Sequence, residues 1–223
     1  MLDPVTVQPG VMPLDREAWK NELNLSNFTN TYYQFRDLHS RVAPGSKVLI
    51  IGPGIGLDAL ILRWRGFVVT TFDIDETFAP DILGSCHDMS MLADGAFDAV
   101  IASHVLEHLP VPYLDSALKE LARVATYAII YLPVAGKHAQ LRIKPSIFGR
   151  YSDIVIDLCK FWEAPTGVDL KYTVGQHYWE VGYRGFTVKQ LKARFSNHFS
   201  IVDNYRNMDW IPSINFILKS HGR

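Results

Sequence analysis

The sequence predicts an α/β fold, a doubly wound and mostly parallel sheet with helices on both faces. Strand-like and helix-like segments alternate from Lys47 to Leu132 in units of about 25 residues, which is typical of parallel strands joined by right-handed crossovers. The strand-like segments are short, apolar and rich in β-branched residues, as expected for strands buried on both faces. With 223 residues, 48% of them hydrophobic, the chain can bury the core of one domain.

Residues 1–45 are predicted to form a helical cap. Trp19 and Leu23 are four residues apart, and Tyr32, Phe35 and Leu38 follow at helical spacing. We expect one or two helices in front of the sheet.

Residues 46–133 contain the alternating pattern. Strands are predicted at 47–52, 67–75, 97–102 and 127–132. Helices are predicted at 58–65, at 78–83 and from Pro112 onwards, where Leu114, Leu118 and Leu121 are in register, and Asp75 is expected to cap the short helix.

The remaining chain divides into an insertion and a closing unit. Residues 134–186 are too long for an ordinary connection, so we interpret them as a lid or substrate-binding insertion. Within it a helix is predicted, with Asp153, Asp157 and Lys160 on one face and apolar residues over most of the rest. Residues 187–223 predict a helix at 187–195 capped by Thr187, then an antiparallel hairpin of strands at 199–209 and 215–220.

Composition excludes several classes of protein. The 22 basic and 23 acidic side chains nearly balance, so the chain has no overall attraction to nucleic acid or to an anionic membrane. Two cysteines are too few for a disulfide framework, the amino terminus lacks the pattern of a signal peptide, and no apolar stretch approaches about 20 residues. We therefore expect a cytoplasmic protein without a transmembrane segment.

A glycine loop follows the first predicted strand. Gly52, Gly54 and Gly56 permit a tight turn and close approach of a ligand to the backbone. Asp73 lies 21 residues after Gly52, at the end of the second strand, where a carboxylate can accept hydrogen bonds from both ribose hydroxyls. A dinucleotide site would need glycine at position 57, which is Leu57 here, so a pyrophosphate ligand is disfavoured. S-adenosylmethionine fits these residues better.

Four segments together resemble the class I S-adenosylmethionine-dependent methyltransferases, and in particular the type 11 small-molecule group. They are VLIIGPGIG from Val48, VVTTFDID from Val68, CHDM from Cys86 and FDAVIASHVLEHLP from Phe97. The resemblance covers residues 46–133 and implies a Rossmann-like methyltransferase fold whose cofactor is bound by this half of the chain. It implies that the glycines line the methionine end of the cofactor. It also implies that Asp73 and Ile74 lie at the ribose, Asp88 and Met89 at the adenine, and Ser103 and His104 at the sulfonium and acceptor.

Methyl transfer from a sulfonium is an in-line displacement that mainly needs alignment and exclusion of water. A hydroxyl acceptor would also benefit from a general base, and histidine is the usual choice. The candidates are His104, His177 and His138, of which we select His104 and His177 as catalytic. Glu107 and His108 are expected to be structural. No cluster of carboxylates or of metal-spaced histidines is evident, so a metal-independent enzyme is predicted.

The acceptor is predicted to be a small molecule, with a hydroxyl of a metabolite or of a sugar or glycan precursor favoured. The aromatic residues around His177 could form a wall for a ring, and the basic stretch 136–152 could neutralise an acidic group, although core packing and a solvated loop explain these features equally well. A catalytically silent cofactor-binding subunit and N- or C-methylation remain alternatives. A nucleic-acid methyltransferase and an NAD-dependent oxidoreductase are disfavoured, and a homodimer is left open.

Overall fold

The computed structural model describes residues 25–136, 139–147, 150–151, 154–157, 177–207, 209 and 213–222. His138, Cys159 and most of the helix predicted around 153–162 lie outside these residues. The described helices are α1 (Leu25–His39), α2 (Leu57–Trp64), α3 (Val111–Val124) and α4 (Val188–Phe195). The strands are β1 (Lys47–Ile51), β2 (Val68–Asp73), β3 (Ile82–Leu83), β4 (Phe97–Ser103), β5 (Ala125–Pro133), β6 (Gln140–Ile143), β7 (Ser146–Ile147), β8 (Arg150–Tyr151), β9 (Ile154–Asp157), β10 (Phe199–Asn207) and β11 (Ser213–Ser220).

Seven of these strands form one mixed sheet in the order β3-β2-β1-β4-β5-β11-β10. The first five strands are parallel to one another, and β11 runs antiparallel to both β5 and β10. The predicted doubly wound α/β class is therefore confirmed, and the antiparallel pairing of β10 with β11 is consistent with the expected hairpin.

Helices cover both faces of the sheet, and β1 shows why its sequence is continuously apolar. Successive side chains of a strand point to opposite faces. Leu49 and Ile51 accordingly join the core cluster that contains α3 and α4, whereas Val48 and Ile50 join the cluster that contains α1 and α2. All four side chains are at most 3% exposed.

Helix α1 is attached to the sheet by a buried carboxylate. Asp37 is 3% exposed, and its Oδ2 accepts hydrogen bonds from the hydroxyls of Tyr131 on β5 and Tyr205 on β10, at 2.6 and 2.5 Å. Arg36 donates to Oδ1 of the same carboxylate. Because hydrogen bonds to a charged acceptor are stronger than neutral ones, this group fixes α1 against the two strands.

The short helix predicted at 78–83 is wrong. A single 3-10 turn spans Glu76–Phe78 and is followed by strand β3, which pairs with Phe72 and Asp73 of β2. Ala79 ends the turn in the left-handed region, with φ 46°, and Pro80 has no N–H with which to continue a helix. The predicted cap is confirmed, since Asp75 accepts a hydrogen bond from the Thr77 N–H.

The helix predicted from Asp153 is also wrong where the structure describes it. Residues 154–157 form strand β9, which pairs antiparallel with β6 from Gln140–Asp157 to Ile143–Ile154. Consecutive β-branched residues favour a strand over a helix, and this local preference prevails over the helical periodicity that the sequence suggested. The insertion therefore contributes two small two-stranded sheets, β6-β9 and β7-β8.

Helix α4 begins as predicted. Thr187 is its N-cap, and a capping box joins Thr187 to Gln190 in both directions. Among the described helices, none combines the length and the apolar character that a membrane span requires.

Candidate active site

The candidate site lies at the carboxyl edge of the sheet, where β1 is flanked by β2 and β4. Ile51 pairs with Phe72 on one side and Ala102 on the other, so the next residues, Gly52, Asp73 and Ser103, form a row along this edge. The chain order reverses between β1 and β4, and ligands of open α/β sheets bind in the crevice at such a switch point. Three of the predicted cofactor residues are thereby adjacent.

The glycine loop uses backbone conformations that favour glycine. Gly52, Gly54 and Gly56 have φ of 65°, 52° and 75°, and Gly56 is the N-cap of α2. A Cβ on Gly52 would lie 2.4 Å from Val105 Cγ2, whereas a Cβ on Gly56 would have no atom within 4 Å. The loop is therefore tightly packed at Gly52 and open at Gly56, where a ligand could approach the backbone.

Asp73 ends β2 with its carboxylate partly buried. Its Oδ1 accepts a hydrogen bond from the Asp75 N–H at 2.9 Å, which fixes the orientation of the group. Burial raises the pKa of Asp73 above its ordinary value, although hydrogen bonds from the Asp75 and Ile74 N–H groups act to lower it. The neighbouring Ile74 is 56% exposed, so an apolar surface is available beside the carboxylate.

Asp88 and Met89 lie on the loop between β3 and β4. The Asp88 side chain is exposed and its Oδ1 accepts from the Ser90 N–H, while the Met89 side chain is fully buried in the core. The Met89 N–H donates to Glu120 Oε2, and its carbonyl accepts from Arg123. Sequence reasoning did not identify Glu120 and Arg123, which hold this loop on α3. Contact of Asp88 and Met89 with adenine stays a prediction.

Ser103 and His104 end β4 next to the glycine loop. Asn30 of α1 donates to Ser103 Oγ at 2.9 Å, a contact for which the sequence offered no signal. His104 has φ 56°, and its N–H donates to the carbonyl of Tyr131 on β5. A non-glycine residue in the left-handed region costs of order 1 kcal/mol or more, and such strain concentrates at functional sites.

Glu107 lies directly behind His104 and is completely buried. Its Oε1 is 3.5 Å from His104 Nδ1, and among the described residues neither carboxylate oxygen has a hydrogen-bond partner of ordinary length. Burial by itself would raise the pKa of Glu107, but the contact with His104 and the charges of His104 and His108 outweigh it and leave the pKa below its usual value. The side-chain charges that lower the pKa of this carboxylate are thus those of two imidazoles, His104 and His108.

His177, near the carboxyl-terminal end of the insertion, lies beside Glu107 and His108. Its Nδ1 is 2.7 Å from Glu180 Oε1, and its ring lies 4.8 Å from the ring of His108 at an interplanar angle of 79°. The hydrogen bond to Glu180 raises the pKa of His177, assisted by the charge of Glu107. The Tyr178 N–H donates to the carbonyl of Glu107 at 2.8 Å, so the backbone itself attaches this segment to the end of β4.

The structure thus places the two predicted catalytic histidines, His104 and His177, around one buried carboxylate. Of the aromatic residues near His177, Trp179 and Phe186 are stacked at 4.7 Å and belong to the core, which leaves them unavailable as a ligand wall. The clustering of Glu107 and His108 with His177 was not predicted, because Glu107 and His108 were interpreted as structural.

Comparisons with known proteins agree with this architecture. A family model described as a methyltransferase domain matches residues 49–127, about a third of the chain. A search of curated proteins finds no significant match.

Solved structures similar to this fold have low sequence identity. The N-methyltransferase NodS from Bradyrhizobium japonicum WM9, solved in complex with S-adenosyl-L-homocysteine, is 12% identical with a TM-score of 0.60, and the match covers 93% of this chain and 94% of that one. The 1,6-didemethyltoxoflavin-N1-methyltransferase of Burkholderia thailandensis is 15% identical with a TM-score of 0.56, covering 92% and 81%. A TehB-like methyltransferase from Corynebacterium glutamicum is 14% identical with a TM-score of 0.56, covering 92% and 95%.

Proposed function

We propose that this chain, which carries a class I S-adenosylmethionine-dependent methyltransferase domain, transfers a methyl group to a hydroxyl of a small molecule. The observation that carries the proposal is the row formed by Gly52, Asp73 and Ser103 at the switch point of the sheet. Bound S-adenosylmethionine would supply an activated methyl group and a neutral thioether leaving group.

The residues present fit this cofactor. The positive φ angles of the loop turn the backbone sharply, and the open space at Gly56 would admit the amino-acid end of the ligand. Asp73, oriented by the Asp75 N–H, has a carboxylate that would accept hydrogen bonds from the ribose hydroxyls. Exposed Ile74 would contact the adenosine and exposed Asp88 would lie at its adenine end, with buried Met89 supporting the loop next to Asp88.

The imidazoles near the end of β4 support a hydroxyl acceptor. A hydroxyl must lose its proton as it is methylated, and a positioned imidazole can accept that proton near neutral pH. His104 adjoins the row of cofactor residues, and Glu107 at 3.5 Å would stabilise its protonated form. Ser103, held by Asn30, would border the acceptor. Replacing His104 with alanine should lower kcat about 100-fold or more once an acceptor is known.

Residues 134–186 are proposed to cover the acceptor, because the segment at His177 is attached to the carboxyl edge by the Tyr178–Glu107 hydrogen bond. The near balance of basic and acidic residues favours a small molecule over nucleic acid, and the proposed location is the cytoplasm.

Calorimetric titration tests the cofactor assignment directly. Purified protein is titrated with S-adenosylmethionine, S-adenosylhomocysteine and NAD, and the titrations are repeated with Asp73→Ala. We expect micromolar binding of the first two ligands, no binding of NAD, and at least a 100-fold loss in the variant, since each hydrogen bond to a charged acceptor contributes about 1.5 to 3 kcal/mol. Preference for NAD, or equal affinity of the variant, would overturn the proposal.

A further inference from the structure

We propose that Glu107, His108 and His177 bind a divalent first-row transition metal cation beside the acceptor site. This inference deepens the proposed function and rests on it for the role of the cation, but the cation site itself stands on geometry alone. It differs from the sequence-based expectation of a metal-independent enzyme.

The three side chains converge. Each offers one ligand atom, and the three atoms lie within 4.8 Å of one another. Nitrogen and oxygen ligands bound to one cation at about 2.1 Å in tetrahedral geometry lie about 3.4 Å apart. Closing the cluster therefore needs shifts of about 1 Å between the ligand atoms.

Glu107 is the strongest argument for a cation. Its carboxylate is completely buried, and neither oxygen is hydrogen-bonded among the described residues. A buried carboxylate without partners costs several kcal/mol, so native structures pair such groups or place them on a metal. The 3.5 Å separation from His104 Nδ1 is longer than a hydrogen bond, and a cation between Glu107 and the imidazoles of His108 and His177 would give the carboxylate a direct contact.

His177 is already oriented for ligation. Its Nδ1 is hydrogen-bonded to Glu180 at 2.7 Å, which leaves Nε2 as the ligating atom. A carboxylate that holds one nitrogen of a histidine while the other binds metal is a recurrent arrangement, because it fixes the ring and raises its basicity. The Tyr178–Glu107 backbone hydrogen bond keeps this histidine beside the carboxylate even though the two residues are 70 positions apart.

The donor set indicates the class of cation. Two imidazoles and one carboxylate favour Mn²⁺, Fe²⁺, Co²⁺ or Zn²⁺ over Ca²⁺, which takes oxygen ligands. Three protein ligands leave coordination positions open, and exposed His108 marks the side from which an oxygen of the acceptor could enter. This assignment commits His177 to the cation and leaves His104 as the proton acceptor. While the cation is bound, the cation and not His104 balances the charge of Glu107.

Cobalt binding tests the site without any need for an acceptor. The full chain is stripped with a chelator and titrated with Co²⁺, with heat and visible absorption as readouts. We expect one Co²⁺ per chain, with affinity reduced on the order of 100-fold or more in Glu107→Gln and His177→Ala, and about 10- to 100-fold in Glu180→Gln. The matched control is His198→Ala, because His198 precedes β10 at the opposite edge of the sheet; it should bind like the parent.

Glu107 is buried, so its substitution can also affect folding. His108→Ala is therefore a second variant, because it removes a proposed metal ligand at an exposed position. Absence of stoichiometric Co²⁺ binding, or equal binding by the parent, His177→Ala and His108→Ala, would overturn the proposal. S-adenosylhomocysteine titrated in the presence of chelator separates the two proposals. Cofactor binding without Co²⁺ binding would refute only the cation site, and Co²⁺ binding without cofactor binding would refute only the proposed function.

Discussion

Substitution of Gly52 by alanine should destabilise the protein more than the same substitution at Gly56 in the glycine loop. At φ 65° an alanine is strained by about 1 to 2 kcal/mol. Its Cβ would also lie 2.4 Å from Val105 Cγ2, far inside the separation of about 3.5 to 4 Å that carbon atoms prefer. Val105 is β-branched and has little rotamer freedom, so we add about 1 to 3 kcal/mol for overpacking. The total is about 2 to 5 kcal/mol.

Gly56→Ala is the matched control. Gly56 has φ 75°, but a Cβ there would meet no atom within 4 Å, so only the backbone strain applies. The free energy of unfolding, measured by urea titration, should fall by about 1 to 2 kcal/mol for Gly56→Ala and by clearly more for Gly52→Ala.

The double variant Gly52→Ala/Val105→Ala isolates the steric part. Removing the valine methyl groups should recover about 1 to 3 kcal/mol, so the two substitutions should be strongly non-additive. Additive effects, or a Gly52→Ala variant no less stable than Gly56→Ala, would show that the loop does not pack against Val105 and would refute the geometry of the site.

Two further predictions concern buried carboxyl groups. Burial raises the pKa of Asp58 to about 6, above its ordinary 3.8, so the folded state binds the proton more tightly and stability should fall as pH rises through this window. Asp58→Asn should abolish that dependence and stabilise the protein above pH 7 by up to about 3 kcal/mol; parallel unfolding curves for parent and variant between pH 4 and 7 would contradict this. Asp37→Asn should cost about 2 kcal/mol by weakening two charge-assisted hydrogen bonds, and Tyr131→Phe, which removes one donor, about 1 kcal/mol in urea unfolding. An unchanged free energy of unfolding in Asp37→Asn would show that this carboxylate does not attach α1 to the sheet.

The sequence predicts the central strands well because both faces of each strand are buried. In β1 the need to fill two opposite cores produces an uninterrupted apolar run, and its ends are marked by Lys47 and Gly52. Prediction failed where a short segment lacked such a constraint. Strand β3 has only two residues, Ile82 and Leu83. It forms because it pairs with β2, and a two-residue sequence pattern cannot predict such a tertiary contact.

The candidate site divides in the same way. Gly52, Asp73 and Ser103 could be found because each ends a recognisable strand, and parallel strands bring their carboxyl ends to one edge. The proximity of Glu107 and His177 could not be predicted from the sequence. It depends on backbone hydrogen bonds from Val181 to Pro133 and from Tyr178 to Glu107, which join residues that are far apart in the sequence. Local patterns carry no information about such contacts.

Contacts of the same long-range kind connect α1 and the insertion above the carboxyl edge. Asn30 of α1 reaches Ser103, and Tyr33, one turn further along, donates to Asp209 between β10 and β11. Arg142 of β6 pairs with the same Asp209 carboxylate, so α1, β6 and the segment between β10 and β11 meet at one acceptor. Because each partner belongs to a different segment, displacing any one of them would loosen the other two. Helix α1, strand β6 and the segment between β10 and β11 are therefore connected through Asp209, and the hydrogen bond between Asn30 and Ser103 connects α1 to the end of β4.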